Sequence, residues 1–426
     1  MRILWLCNIM LPIIAKELGV ESSHKEGWLT GTLNRIQEKR EDSSIILGIC
    51  YPTRESELVV KGSVEGISYY GFYEDVGNPE KYDASLEENL REIVNHFQPD
   101  LIHIFGTEYA HSYAMVQSVV VKDKLMISMQ GLCGLCAKEY YAGLPKNIYE
   151  RVTLRDWLKK DSIVQQKKKF WLRGKREVEV LKNITHVLGR TRADYEYTKS
   201  FHQNVNYYHL NETLRKEFYQ EEWELVKCKR NTILITQADY PLKGFHFLLM
   251  ALPEIIKRFP TVRVRVTGNC ITRWSTWKDK LKISAYGLYL RELIEKNHLE
   301  GYVEQVGMVS SEEMCALMLD SHILVSCSVM ENSPNSIGES MLLGLPVVAS
   351  NVGGIPSMVE DKKEAMLYET YIIEDLVDKI CKVLGDDEMA VELSINARKR
   401  AKITHHMEEN YKRLVEIYHQ VKEERG

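Results

Sequence analysis

Short runs of consecutive apolar residues recur along this chain with amphipathic stretches between them, and they do so in two successive sets. The first set is Ile3–Cys7, Ser44–Cys50, Leu101–Phe105, Leu125–Met129 and His186–Leu188. The second is Thr232–Thr236, Arg263–Thr267, Val303–Val306, His322–Ser326 and Pro346–Ala349. Unbroken apolar character, as opposed to alternation, fits parallel strands buried on both faces. Stretches such as Leu86–His96 and Phe245–Phe259 have the spacing of crossover helices. The pattern predicts an α/β chain with two Rossmann-like, doubly wound domains in series. With 426 residues, 44% of them hydrophobic, the chain can bury two cores. The expected domains are 1–210 and 211–407, with Tyr207–Arg230 read as a linker and helical lead-in. Ligands of such sheets sit beyond the C-terminal strand ends, so the expected site is a cleft between the domains.

Bulk properties narrow the compartment and the partners. A net charge of −4 gives no general reason to expect nucleic acid. Met1–Cys7 reads as a first strand, not a secretory signal, and no window approaches the roughly 18 apolar residues that span a bilayer. With nine cysteines and no signal, a reduced, cytoplasmic protein is expected.

Residues 331–340, ENSPNSIGES, carry the most specific chemistry. Pro334 disfavours helix at Ser333 and has no N–H to donate, so a helix should begin at or just after it. Glu331 then lies in the loop after His322–Ser326, and Glu339 lies about one turn into the helix. First-turn amides point outward unpaired, with the positive dipole end behind them, and suit a diphosphate. Carboxylates beside them can accept hydrogen bonds from sugar hydroxyls. A second reading stays open: Ser336-Ile337-Gly338-Glu339 matches the capping box, in which Glu339 bonds only backbone.

The stretch that follows, SMLLGLPVVASNVGGIPSMVED, together with the E-x7-E spacing, resembles glycosyltransferase family 4, the retaining enzymes of GT-B fold. TQADYPLKGFHFLLMALPEIIKRFP, VRVTGN and VEQVGMVSSEEMCALMLDSHILVSCS resemble the family's preceding segments in the same order, so the likeness runs from about Thr232 to Asp361. The resemblance implies GT-B architecture and assigns roles by position. Glu339 would bond the ribose hydroxyls. Glu331 would contact the donor sugar, and Lys243 would meet the diphosphate. The amides of Asn335, Ser336 and Ile337 would cradle phosphate, and Gly307, Met308 and Val309 would run along the base. It also implies retention of anomeric configuration, a nucleotide-sugar as substrate and no metal or other cofactor. In such enzymes a last helix, here about 408–426, packs back on the first domain.

Three positions depart from the family. The Arg expected six residues before the Lys is Gln237, a weaker partner for phosphate; Arg173, Arg190 and Arg192 are candidates to replace it. The His expected after LMISM is Gln130, which can bond a hydroxyl but cannot act as a base. The N-terminal glycine pair is reduced to Gly27 in KEGWLTGTL. Glu108 and His111 follow Leu101–Phe105 and are further cleft candidates, although a histidine on a helix is more often packed. Cys133-Gly-Leu-Cys136 has no second pair beside it and reads as two plain thiols. His405-His406 reads as a solvated pair. Lys167–Arg176, KKKFWLRGKR, is open to two readings: a solvated helix face with inward aromatics, or a surface meeting anionic lipid headgroups.

The resulting expectation is a cytoplasmic transferase, peripheral to the membrane's inner face if that second reading holds. It would move a sugar from a nucleotide-diphosphate-sugar, UDP-sugar by its commonness, to a glycan or lipid-linked acceptor in surface polysaccharide synthesis. The departures at Gln237 and Gln130 keep open a non-catalytic binding subunit, and the fold also admits a nucleotide-sugar epimerase.

Overall fold

The computed structural model describes residues 1–21, 27–39, 45–54, 59–273 and 276–424. They divide into two compact units. The first comprises Met1–Gly134, Lys169–Leu214 and Thr404–Gly426; the second comprises Leu135–Lys168 and Arg215–Ile403.

In the first unit the strands are β1 (Arg2–Leu6), β2 (Ile46–Thr53), β3 (Val60–Val64), β4 (Ile67–Tyr73), β5 (Leu101–Phe105), β6 (Leu125–Ser128), β7 (His186–Gly189) and β8 (Asn206–His209). They form one sheet in the order β3-β4-β2-β1-β5-β6-β7-β8. Only β3 runs antiparallel, joined to β4 through Glu65 and Gly66, both at positive φ. The central strands are the apolar runs of the sequence. Strands β3, β4 and β8 were not anticipated, and β8 begins at the edge of the stretch read as linker. The helix Met407–Glu423 belongs to this unit, with Tyr411, Leu414, Ile417, Tyr418 and Val421 in its core. A buried relay fixes it there. Trp5 Nε1 donates to the Tyr418 hydroxyl at 2.9 Å, which lies 2.7 Å from His103 Nδ1, and His103 Nε2 lies 2.7 Å from Ser128 Oγ. His405 is likewise buried, Nδ1 bonding the Glu212 carbonyl at 2.9 Å, and is not the solvated residue expected.

The second unit is built on β9 (Thr232–Ile235), β10 (Arg263–Thr267), β11 (Val303–Gly307), β12 (Ile323–Ser326), β13 (Val347–Ser350) and β14 (Met366–Tyr368). All are parallel, in the order β11-β10-β9-β12-β13-β14. The order reverses beside β9, so the switch point where such sheets bind ligands lies between β9 and β12. Leu135–Lys168, placed in the first domain by the sequence, packs with this unit. His246 Nε2 donates to the Ala142 carbonyl at 2.9 Å, Tyr371 donates to Glu139 at 2.9 Å, and Asp156 accepts the Ala285 amide at 2.8 Å. These partners lie far away in the sequence, and no strand period announces them.

Candidate functional site

Two loops meet at the switch point of the second unit. The loop after β9 ends in Lys243-Gly244, and the loop after β12 carries Glu331. Gly244 has φ +66°, and a Cβ there would lie 1.9 Å from the Cys327 carbonyl, so only glycine allows the approach. The amide of Val329 donates to the Leu242 carbonyl at 2.8 Å and laces the loops together. Lys243 Nζ is thereby set 2.5 Å from Glu331 Oε1, and Ser328 Oγ donates to the same oxygen at 2.8 Å. Burial works against the Lys243 ammonium, but the adjoining Glu331 outweighs it and the pKa is raised, so the lysine is a fixed cation. Behind Glu331 stand Gly353 and Gly354. Gly353 has φ +52°, its absent Cβ would fall 1.9 Å from the Glu331 carbonyl, and the Gly354 amide donates to that carbonyl at 3.0 Å.

The helix Asn335–Leu343 starts directly after this loop with Pro334 at its N-cap and no side-chain cap. The capping-box reading therefore falls. Asn335 and Ser336 occupy the first positions, whose amides have no carbonyl one turn back to bond. The Ile337 amide is less available than expected, since it bonds the Pro334 carbonyl at 3.1 Å. Glu339 is 4% exposed and clasped by Arg215, Nε to Oε1 at 2.6 Å and Nη2 to Oε2 at 2.7 Å. The guanidinium stands 4.8 Å from the Phe218 ring centroid. Burial pushes the Glu339 carboxyl up against the opposite pull of Arg215, and Glu339 in turn outweighs the burial that penalises the guanidinium. A carboxylate has four lone-pair sites, and Arg215 uses two. Arg215 escaped the sequence reading because it is 124 positions from its partner in a polar stretch with no period.

Gly307 closes β11 at φ +96° in open space, and its carbonyl accepts the Gly268 amide at 2.9 Å. Met308 is 69% exposed and Val309 half-buried. Gln237 is exposed on the loop after β9. Gln130, Gly27, His111 and the three candidate arginines belong to the first unit, and Lys167–Arg176 runs from the second unit into the first. Gln130, after β6, donates to Glu212 at 2.9 Å and accepts from Arg190 at 3.4 Å. Gly27 begins the helix Gly27–Glu38. Each arginine proposed to replace Gln237 has its own partner: Arg190 pairs with Glu212 at 2.9 Å, Arg173 bonds the Glu108 carbonyl at 2.8 Å, and Arg192 pairs with Glu196 at 2.6 Å. His111 is buried between Glu74 and Asn8, so it is a packed residue. In Lys167–Arg176, Lys167 lies over Tyr141 and Arg176 bonds the carbonyls of Pro79 and Lys81, whereas Trp171 is half-exposed beneath Lys175. Among the described residues, no three His, Cys, Asp or Glu side chains gather as a metal site, and no helix is long and apolar enough to cross a membrane.

A parallel sheet with a cation, two acids and a helix start at its switch point defines the second unit as a Rossmann-like α/β domain, and with the α/β unit before it the chain has the two domains of a GT-B fold. Known structures share the fold. Sucrose-phosphate synthase from Thermosynechococcus elongatus aligns with TM-score 0.70 at 14% identity, covering 99% of this chain and 98% of that one. Anabaena HepE, in complex with UDP and glucose, aligns at 0.66 and 14%, covering 99% and 100%. Residues 217–400 match the family described as Glycosyl transferases group 1. Over that region the chain is similar to the group 1 glycosyltransferases. The poly(ribitol-phosphate) alpha-N-acetylglucosaminyltransferase of Staphylococcus aureus is 28% identical over 160 residues, 37% of this chain. The match spans 29% of that relative's length.

Proposed function

We propose that the protein transfers a sugar, with retention, from a nucleotide-diphosphate-sugar to a glycan or lipid-linked acceptor in surface polysaccharide synthesis. The observation that carries this reading is the Lys243–Glu331 pair at the switch point, beside the start of the helix that holds Glu339. The bond between the anomeric carbon and the diphosphate oxygen breaks with both electrons on the diphosphate. An acceptor hydroxyl oxygen forms the new bond on the same face, and its proton passes to the departing phosphate oxygen. Lys243 and the outward amides of Asn335 and Ser336 face the charge that builds on the leaving group, where fixed donors lower a barrier most. Glu331 takes a sugar hydroxyl, and Glu339 takes the ribose hydroxyls through the lone pairs Arg215 leaves. UDP is the favoured nucleotide because HepE was crystallised with it. A cytoplasmic site of action fits the nine free cysteines.

The test is release of nucleoside diphosphate from a panel of UDP-, GDP- and ADP-sugars, with candidate acceptors present. Release from one donor supports the reading. Binding of a donor with no turnover under any acceptor overturns it in favour of a binding subunit.

A further inference from the structure

Two short helices of the second unit are built with their apolar sides outward. Leu154–Lys159 is capped by Thr153 and Asp156, and Asp156 is its one buried residue. That polar side is what ties it down. Asp156 accepts the Ala285 amide at 2.8 Å, and Thr153 Oγ1 donates to the Ile283 carbonyl at 2.8 Å. The residues at helical spacing that ordinarily seek a core point away instead, with Leu154 51%, Trp157 68% and Leu158 65% exposed. The neighbouring helix Trp277–Lys282 buries none of its residues and repeats the pattern, with Trp277 67% and Leu281 47% exposed.

The exposed charges on these two helices and at their ends are lysines. Lys159, Lys160, Lys278 and Lys282 are exposed. The nearby acids are used locally: Arg155 pairs with Asp156 and Asp161 at 2.9 and 3.0 Å, and Asp279 caps its own helix through Thr276. A basic, tryptophan-bearing patch on a chain of net charge −4 is a local departure from the whole. Contiguous exposed apolar surface marks an interaction site, and Trp and Leu among lysines are the side chains that enter a headgroup region over anionic lipid. We propose that the Leu154–Lys159 and Trp277–Lys282 helices together form a docking surface for an anionic lipid bilayer. The surface is distinct from the Lys167–Arg176 run and does not depend on the transfer chemistry.

The test is co-sedimentation of the full chain with vesicles of 30% phosphatidylglycerol in phosphatidylcholine, and with phosphatidylcholine alone, at low and high salt. The wild type is expected to bind the anionic vesicles and to be released by salt. Trp157→Ser/Trp277→Ser should lower partitioning roughly tenfold, with its circular dichroism unchanged because both side chains are exposed. Trp171→Ser should bind as wild type. Absence of wild-type binding, or equal binding by the double variant, overturns the proposal. So does self-association without vesicles that the double variant abolishes, which would make the patch an interface between copies.

Discussion

Arg215→Ala removes the guanidinium that clasps Glu339 and leaves a carboxylate that is 4% exposed. Breaking a buried pair costs about 3–5 kcal/mol when the orphan stays charged. This orphan can instead take a proton. Against its ordinary pKa of 4.5, protonation costs about 3.4 kcal/mol at pH 7 and under about 1 kcal/mol at pH 5. The penalty is capped by those figures and depends on pH in a defined direction. Between the ordinary pKa and the raised one, the folded variant binds more protons than the unfolded chain, so its stability falls as pH rises. Relative to wild type, the variant's deficit should grow by up to about 2.5 kcal/mol from pH 5 to pH 7. Urea unfolding at the two pH values measures this. Adding Glu339→Gln to Arg215→Ala should flatten the dependence. A deficit of equal size at both pH values refutes the orphan-carboxylate reasoning.

Further predictions rest on other contacts. Lys243→Met should fold normally and lose about 10²–10³ in kcat on the donor that wild type uses; a change under about threefold in steady-state assays would remove Lys243 from the chemistry. Gly244→Ala meets the Cys327 carbonyl at 1.9 Å from a positive φ and should cost about 2–4 kcal/mol in denaturant unfolding; an unchanged midpoint would show that the loop yields. His246 is neutral inside the second unit, its pKa pushed down to about 4 by burial. The unfolded chain therefore binds more protons between about 6.5 and 4, and stability should fall as pH falls through that window. His246→Gln should lessen that slope in acid titrations followed by circular dichroism, and an unchanged slope would assign acid lability elsewhere.

Most of the ten strands read from the sequence were legible as short apolar runs, the composition that buried parallel strands require, whereas β10, RVRVT, and the edge strand β11, VEQVG, carry polar residues between their valines. The other edges were not legible. Strand β3, VKGSV, is half polar, and β14 has three residues, so neither stands out from a loop. The switch-point site was readable because Lys243 and Glu331, although 88 positions apart, each follow a central strand, and topology alone brings such loops together. The attachment of Leu135–Lys168 to the second unit rests on scattered polar contacts with no sequence period. The role of Arg215 was hidden for the same reason. Gln130 was named from its place after LMISM, but its engagement by Arg190 and Glu212 depends on neighbours that only the folded sheet supplies.

The central claim is a nucleotide-sugar site at the β9/β12 switch point with Glu339 at the ribose. Isothermal titration of the wild type and Glu339→Ala with UDP, GDP and ADP tests it most directly. One nucleotide should bind the wild type, and the variant should bind it at least roughly tenfold more weakly, a loss of about 1.4 kcal/mol. Failure of all three to bind folded wild-type protein, or equal binding by the variant, would contradict the account.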